Sequence, residues 1–224
     1  VIHSVERIVD KGRIEAICAA VSSSPVVIAD GHHRYAISRT FRDEARERTQ
    51  SKDTGAELTL TYINELVEEQ LSVAAIHRFY SGASADDLRK ALTRFYTFEA
   101  APSIDDNTLQ EMNKRGSLVF IDDEMSVSWM TPKLELFDSI RALDSARLEF
   151  SLASIDHTVG YQHGATEVQA LVTSGKATAA ILIRPVSVDE IKRTANEGLL
   201  MPPKSTFFTP KLRTGLVIRE LKTR

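Results

Sequence analysis

Residues 26–45 read VVIADGHHRYAISRTFRDEA. The apolar run Val26–Ala29 ends at Asp30-Gly31, and His32, His33 and Arg34 follow where a helix is expected to begin. The run predicts a buried strand. The helix is expected from about His33 to Arg48, with Ile37, Phe41 and Ala45 sharing one face and arginines elsewhere. With the irregular alternation of strands and helices further along, this predicts an α+β (mixed α/β) fold.

A helix N-terminus carries roughly half a positive charge, so basic residues in its first turn are disfavoured by about 0.3–1 kcal/mol each. Here Arg34 and two histidines crowd that turn, and Gly31 lets the backbone come close to a ligand. An anion resolves the conflict, because phosphate is drawn to the dipole, the unpaired N–H groups and the guanidinium together. The alternative is that Asp30 caps the helix and the histidines are solvated. A metal site is disfavoured, since adjacent histidines point in different directions on a helix. Asp30, beside the expected phosphate, is a candidate general base or magnesium ligand.

Outward from this stretch, residues 1–9 suggest a strand already in progress, which points to a piece of a longer chain. Asp10 is placed to cap a short helix through Cys18 to Val21, with Cys18 packing as a small apolar residue, and Ser22–Pro25 ends it. Leu58, Leu60 and Tyr62 suggest one strand and Val73–Phe79 another. Ser84 with Asp87 opens a helix to about Arg94. SLVFIDDEMSVSWM reads as a hairpin turning at Asp122–Glu124, with Phe120 and Trp129 in its core. Helices are expected over Lys133–Leu143 and Glu167–Ser174, the second stopped by Gly175. Thr178–Ile183 is a strand, and Ser187 with Glu190 opens a helix that Gly198 ends. The best place to divide the chain is near Ala100–Asp105, giving a core over residues 1–100 and a hairpin and helical segment over 101–224 packed with it.

A chain of 224 residues can bury a sizeable core. Its net charge of -3 argues against general nucleic-acid binding. One cysteine excludes an internal disulfide and any Cys-rich zinc site, which suits a reducing cytoplasm. No run is long enough to span a membrane and no signal peptide is evident.

IADGHHRY followed by an arginine-rich helix resembles the bacterial and archaeal family DUF1015, and MPPKSTFFTPKLRTGLVI resembles that family's second signature. IHRFYSG and ILIRPVSVDEI follow in the family's order between them. Family members are about twice this length, so the resemblance implies a carboxy-terminal half that needs the amino-terminal half for full function. The DGHHR element is similar in turn to the phosphate-binding turn of the superfamily joining ParB partition proteins, sulfiredoxin and free-serine kinases. That resemblance implies a ParB/sulfiredoxin-like nucleotide-binding core with additional strands and helices. It makes Gly31, His32, His33 and Arg34 phosphate-binding candidates and Asp30 an acidic catalytic or metal-linked residue, with His33 a further catalytic candidate. Sulfiredoxin's catalytic cysteine has no counterpart, which argues against sulfinic-acid reduction.

His77 and Arg78 form another strand-and-cation pattern, suited to a substrate's acidic group or a second phosphate, or else an exposed edge pair. GLLMPPKST nearly spells a P-loop, but Pro203 stands where the second glycine belongs and has no N–H to offer a phosphate. Lys204, Ser205 and Thr206 are candidate phosphate contacts, or part of a closing loop anchored by Phe207 and Phe208. From Lys204 to the end, six lysines and arginines face one glutamate, an asymmetry that suits a small phosphate-bearing ligand. His157 and His163 flank TVGYQ, either as a proton-transfer pair or as ordinary loop histidines.

With that resemblance, the expectation is a cytoplasmic, nucleotide-dependent phosphotransferase acting on a small hydroxyl substrate, with ATP or ADP and Mg2+ as cofactors; free L-serine as that substrate is what the resemblance to free-serine kinases implies. The alternative is a nucleotide-controlled module that binds a partner or DNA without turnover.

Overall fold

The computed structural model describes residues 2, 4–199, 201–202, 204–209, 211 and 215–221. The chain forms two compact units, residues 1–65 with 210–224 and residues 66–209. The position near Ala100, where composition suggested a division, lies inside the second unit.

In the first unit, helix α1 (Lys11–Ser22) begins at Asp10, whose carboxylate accepts from the Arg13 N–H at 2.8 Å. Helix α2 (His32–Thr49) follows Gly31, and a 3-10 turn covers Gly55–Glu57. Arg46 clamps that turn to α2 through two hydrogen bonds to Glu57, at 2.7 and 2.5 Å. Ala45 is buried, whereas Ile37 and Phe41 are exposed.

Three expected elements of this unit differ. Residues 4–9, Val26–Ala29 and Leu58–Tyr62 form no strand and no other regular element, and Val26, Leu58 and Tyr62 are well exposed. A strand needs a neighbour to take up its backbone groups, and among the described residues of this unit none pairs with them. Cys18 lies on α1 as expected but is exposed rather than packed.

The second unit is built on a six-stranded antiparallel sheet. In chain order its strands are β1 (Ser72–Ala74), β2 (His77–Ser81), β3 (Tyr96–Ala100), β4 (Leu118–Asp122), β5 (Val127–Pro132), β6 (Thr158–Gln162), β7 (Ala179–Leu182) and β8 (Phe207–Thr209). The large sheet runs β3-β5-β4-β7-β2-β6, and β1 pairs separately with β8. Its helices are α3 (Ala85–Thr93), α4 (Thr108–Arg115), α5 (Asp144–Leu152), α6 (Ala165–Thr173) and α7 (Val188–Asn196).

Alternation along the strands sends successive side chains to opposite faces. Phe120 and Ile181 join Leu88 and Leu92 of α3 and Leu148 and Leu152 of α5, while Val119, Ile121 and Leu182 join Met112 of α4 and Val168 and Val172 of α6. Helices thus cover both faces, which is why β4 and β7 read as unbroken apolar runs rather than alternating ones. Phe120 and Trp129 are core residues, as expected.

The capping signals hold. Ser84 accepts from the Asp87 N–H at 3.1 Å and Ser187 from the Glu190 N–H at 3.2 Å. The hairpin is β4–β5, closed where Met125 N–H donates to the Asp122 carbonyl at 3.0 Å. The expected helix over Lys133–Leu143 is replaced by a 3-10 turn, Leu134–Leu136, and an irregular path into α5. Phe137 and Leu143 are both buried there, and core packing at that spacing overrides local helix propensity.

Candidate functional site

Gly31 has φ +90 and ψ 25, a left-handed conformation that glycine alone adopts without strain. It is the N-cap of α2 and supplies no side-chain hydrogen bond to the first turn. The first N–H groups of a helix have no acceptor within it, so this turn presents them outward. The Arg34 guanidinium folds back over Gly31, and a Cβ placed there would meet it at 3.1–3.3 Å. Arg34 also pairs with Asp30 at 3.6 Å across one turn. His32 and His33 occupy the same first turn and are exposed.

Lys211 completes the group, donating from Nζ to Asp30 Oδ2 at 2.9 Å. That hydrogen bond is the main reason the Asp30 carboxyl lies below its ordinary value; partial burial opposes it, and the charges of Lys211 and Arg34 and the Gly31 N–H add to it. Asp30 is therefore a firmly ionised carboxylate between two cations, better suited to orienting than to taking up a proton. The sequence reading did not single out Lys211, although it lies in the TPKLRTG part of the second signature. Arg219, from the same segment, donates to the carbonyls of Gly55 and Leu58 at 3.0 and 2.8 Å. The part of the second signature from residue 210 on thus belongs to the same unit as the first signature, while residues 201–209 belong to the other.

The other candidates lie in the second unit. His77 and Arg78 open the interior strand β2, flanked by β6 and β7, and both are buried rather than forming an exposed edge pair. His77 Nδ1 accepts the Ile183 N–H at 3.2 Å. Burial, then the Arg78 and His163 charges, pull His77 down to about 4, so its ring is neutral near pH 7. Arg78 donates to the carbonyls of Ile76 and Lys204, the second at 3.3 Å. Lys204 has φ +57 and is exposed. Ser205 is buried and donates to the Pro202 carbonyl at 2.7 Å, so its hydroxyl closes the turn instead of facing outward. Thr206 is half-buried, and Pro203 lies outside the described residues. His157 and His163 flank β6, and TVGYQ is that strand rather than a loop.

Among the described residues, no group of three or more His, Cys, Asp and Glu could hold a metal ion. Asp30 already faces two cations, which does not fit a metal held by protein side chains alone. It fits Mg2+ only as an ion carried by nucleotide phosphates. No helix among the described residues is long and apolar enough to cross a membrane.

The fold resembles that of solved structures of free serine kinase: a variant of that enzyme in complex with AMP matches with a TM-score of 0.50 at 12% identity, over 90% of this chain and 81% of that one. A second variant with AMP matches with a TM-score of 0.50 over 91% and 82%. A conserved hypothetical protein from Pyrococcus furiosus matches with a TM-score of 0.48 at 15% identity, over 81% and 68%. The family model for DUF1015, a protein of unknown function, matches residues 1–146, and the chain belongs to that family. No curated protein matches it.

Proposed function

We propose that this protein is a nucleotide-dependent phosphotransferase that acts on a small hydroxyl substrate, with free L-serine as the substrate. The observation that carries the reading is the Gly31–Arg34 turn, where a left-handed glycine, an uncapped helix N-terminus and a guanidinium folded over both occur together. Such a turn offers N–H groups, a dipole and a charge to one anion. The fold shared with an AMP-bound kinase supports a nucleotide as the source of that anion.

In the reaction, the substrate hydroxyl oxygen forms a bond to the terminal phosphorus of ATP or ADP. The bond to the bridging oxygen breaks, and the hydroxyl proton leaves to a base. Positioning and charge stabilisation account for most catalysis of this kind. The helix N-terminus and Arg34 hold the phosphates. Asp30 holds Arg34 and Lys211 in place, and His33, on the first turn, is the candidate proton acceptor. Mg2+ arriving with the nucleotide supplies charge neutralisation.

The test is a thermal-shift panel of ATP, ADP, CTP, GTP and pyrophosphate with magnesium, followed by an assay for O-phosphoserine. Ligand at about a hundred times its dissociation constant adds about 2.7 kcal/mol, a rise of several degrees. Arg34→Ala is expected to abolish the shift while folding stays cooperative, and His33→Ala to lower turnover more than binding. An equal shift in Arg34→Ala and the parent would remove the phosphate turn. Nucleotide binding without turnover on any hydroxyl compound would leave the nucleotide-controlled binding module.

A further inference from the structure

Arg78 is the only fully buried arginine among the described residues, and no carboxylate comes within ion-pair distance of it there. Two other sheltered arginines are treated differently. Arg184 meets Asp144 through two hydrogen bonds, at 2.9 and 2.6 Å, and Arg46 meets Glu57 in the same two-pronged way. Arg78 instead directs Nη1 to two carbonyls, lies 5.1 Å from the Tyr161 ring centroid, and leaves Nη2 buried with no partner. A guanidinium remains charged at any pH a folded protein meets, and a buried charge without a counter-ion is strongly unfavourable.

A second unpartnered group stands at the same end of the β2–β6 pair. In that pair His77 opposes Gln162, and His163 is the next residue. His163 Nδ1 is buried without a hydrogen bond, while its ring stacks on Phe207 with centroids 3.7 Å apart. Two buried nitrogen groups that lack partners, one of them a fixed cation, equal in number the two oxygens of a carboxylate. A phosphate dianion would bring a third terminal oxygen with nothing to pair it.

We infer that Arg78 and His163 form a site in the second unit for the carboxylate of a small hydroxy acid such as L-serine. The inference rests on the second unit's own geometry, and takes only the choice of L-serine as probe from the phosphotransferase reading. His77 is a positioning residue here, its ring fixed by the Ile183 N–H.

Calorimetry on the full chain with L-serine, glycolate, ethanolamine, O-phosphoethanolamine and inorganic phosphate tests it. The parent is expected to bind L-serine and glycolate and to bind ethanolamine far more weakly. Arg78→Met, which keeps the apolar stem, is expected to weaken L-serine by roughly tenfold to a hundredfold while the ATP response is retained. His163→Gln is expected to weaken L-serine as well, and it decides the question if Arg78→Met does not fold. No discrimination between L-serine and ethanolamine, or unchanged L-serine affinity in a folded Arg78→Met, would overturn the inference. Preference for O-phosphoethanolamine and inorganic phosphate would overturn it in favour of a phosphate site. Loss of nucleotide binding in the parent with L-serine binding intact would sink the phosphotransferase reading and leave this site standing.

Discussion

At the scale of single residues, the first turn of α2 shows how one backbone angle organises charge. Gly31 adopts φ +90, and the Arg34 guanidinium occupies the space where a Cβ would crowd it. Gly31→Ala is therefore expected to strain the turn and displace Arg34, weakening nucleotide binding at least tenfold by calorimetry. Asp30 is held below its ordinary value chiefly by Lys211. Lys211→Ala is expected to raise the Asp30 carboxyl toward that ordinary value, seen by NMR titration of its side chain. His77 works in the opposite sense. The unfolded chain protonates it near 6.5, whereas the native protein resists protonation down to about 4. Stability is thus full above pH 6.5 and falls as pH drops toward 4, by roughly 3 kcal/mol in all for this group. His77→Gln is expected to flatten that part of a denaturation-versus-pH profile.

At the scale of elements, the signals that held are those whose physics is local. A serine or aspartate followed three residues later by an N–H in need of an acceptor forms a cap wherever the chain turns into a helix. Asp10, Ser84 and Ser187 all do so. Ser187→Ala is expected to cost α7 about 1 kcal/mol, measured by urea denaturation. The apolar runs of β4 and β7 were legible for the same reason, since each is buried on both faces. The misplaced elements depend on distant partners. The helix expected over Lys133–Leu143 gives way to α5, whose first-turn Asp144 takes up Arg184 from beyond β7. No local pattern announces that pair. Asp144→Ala leaves Arg184 without its partner and is expected to cost about 3–5 kcal/mol in the same denaturation experiment.

At the scale of the whole molecule, the chain closes its first unit with its last residues. Lys211 and Arg219 return to Asp30 and to the Gly55 and Leu58 carbonyls. Ending the chain at residue 209 is expected to speed amide exchange in α1 and α2 while exchange in the strands of the large sheet stays as before. Equal protection of α1 and α2 in the shortened chain would show that these contacts contribute nothing to the unit. The sequence alone determined that a helix starts just after Gly31, that other helices begin at their serine and aspartate caps, and that the fold mixes helices with strands, because each follows from residues a few positions apart. Only the tertiary structure decided that Arg78 and His77 are buried in an interior strand, against Lys204 and Ile183, and that Lys211 meets Asp30. Those outcomes depend on which segments pack together across more than a hundred residues, and burial and ion pairing at such separations are properties of the folded chain.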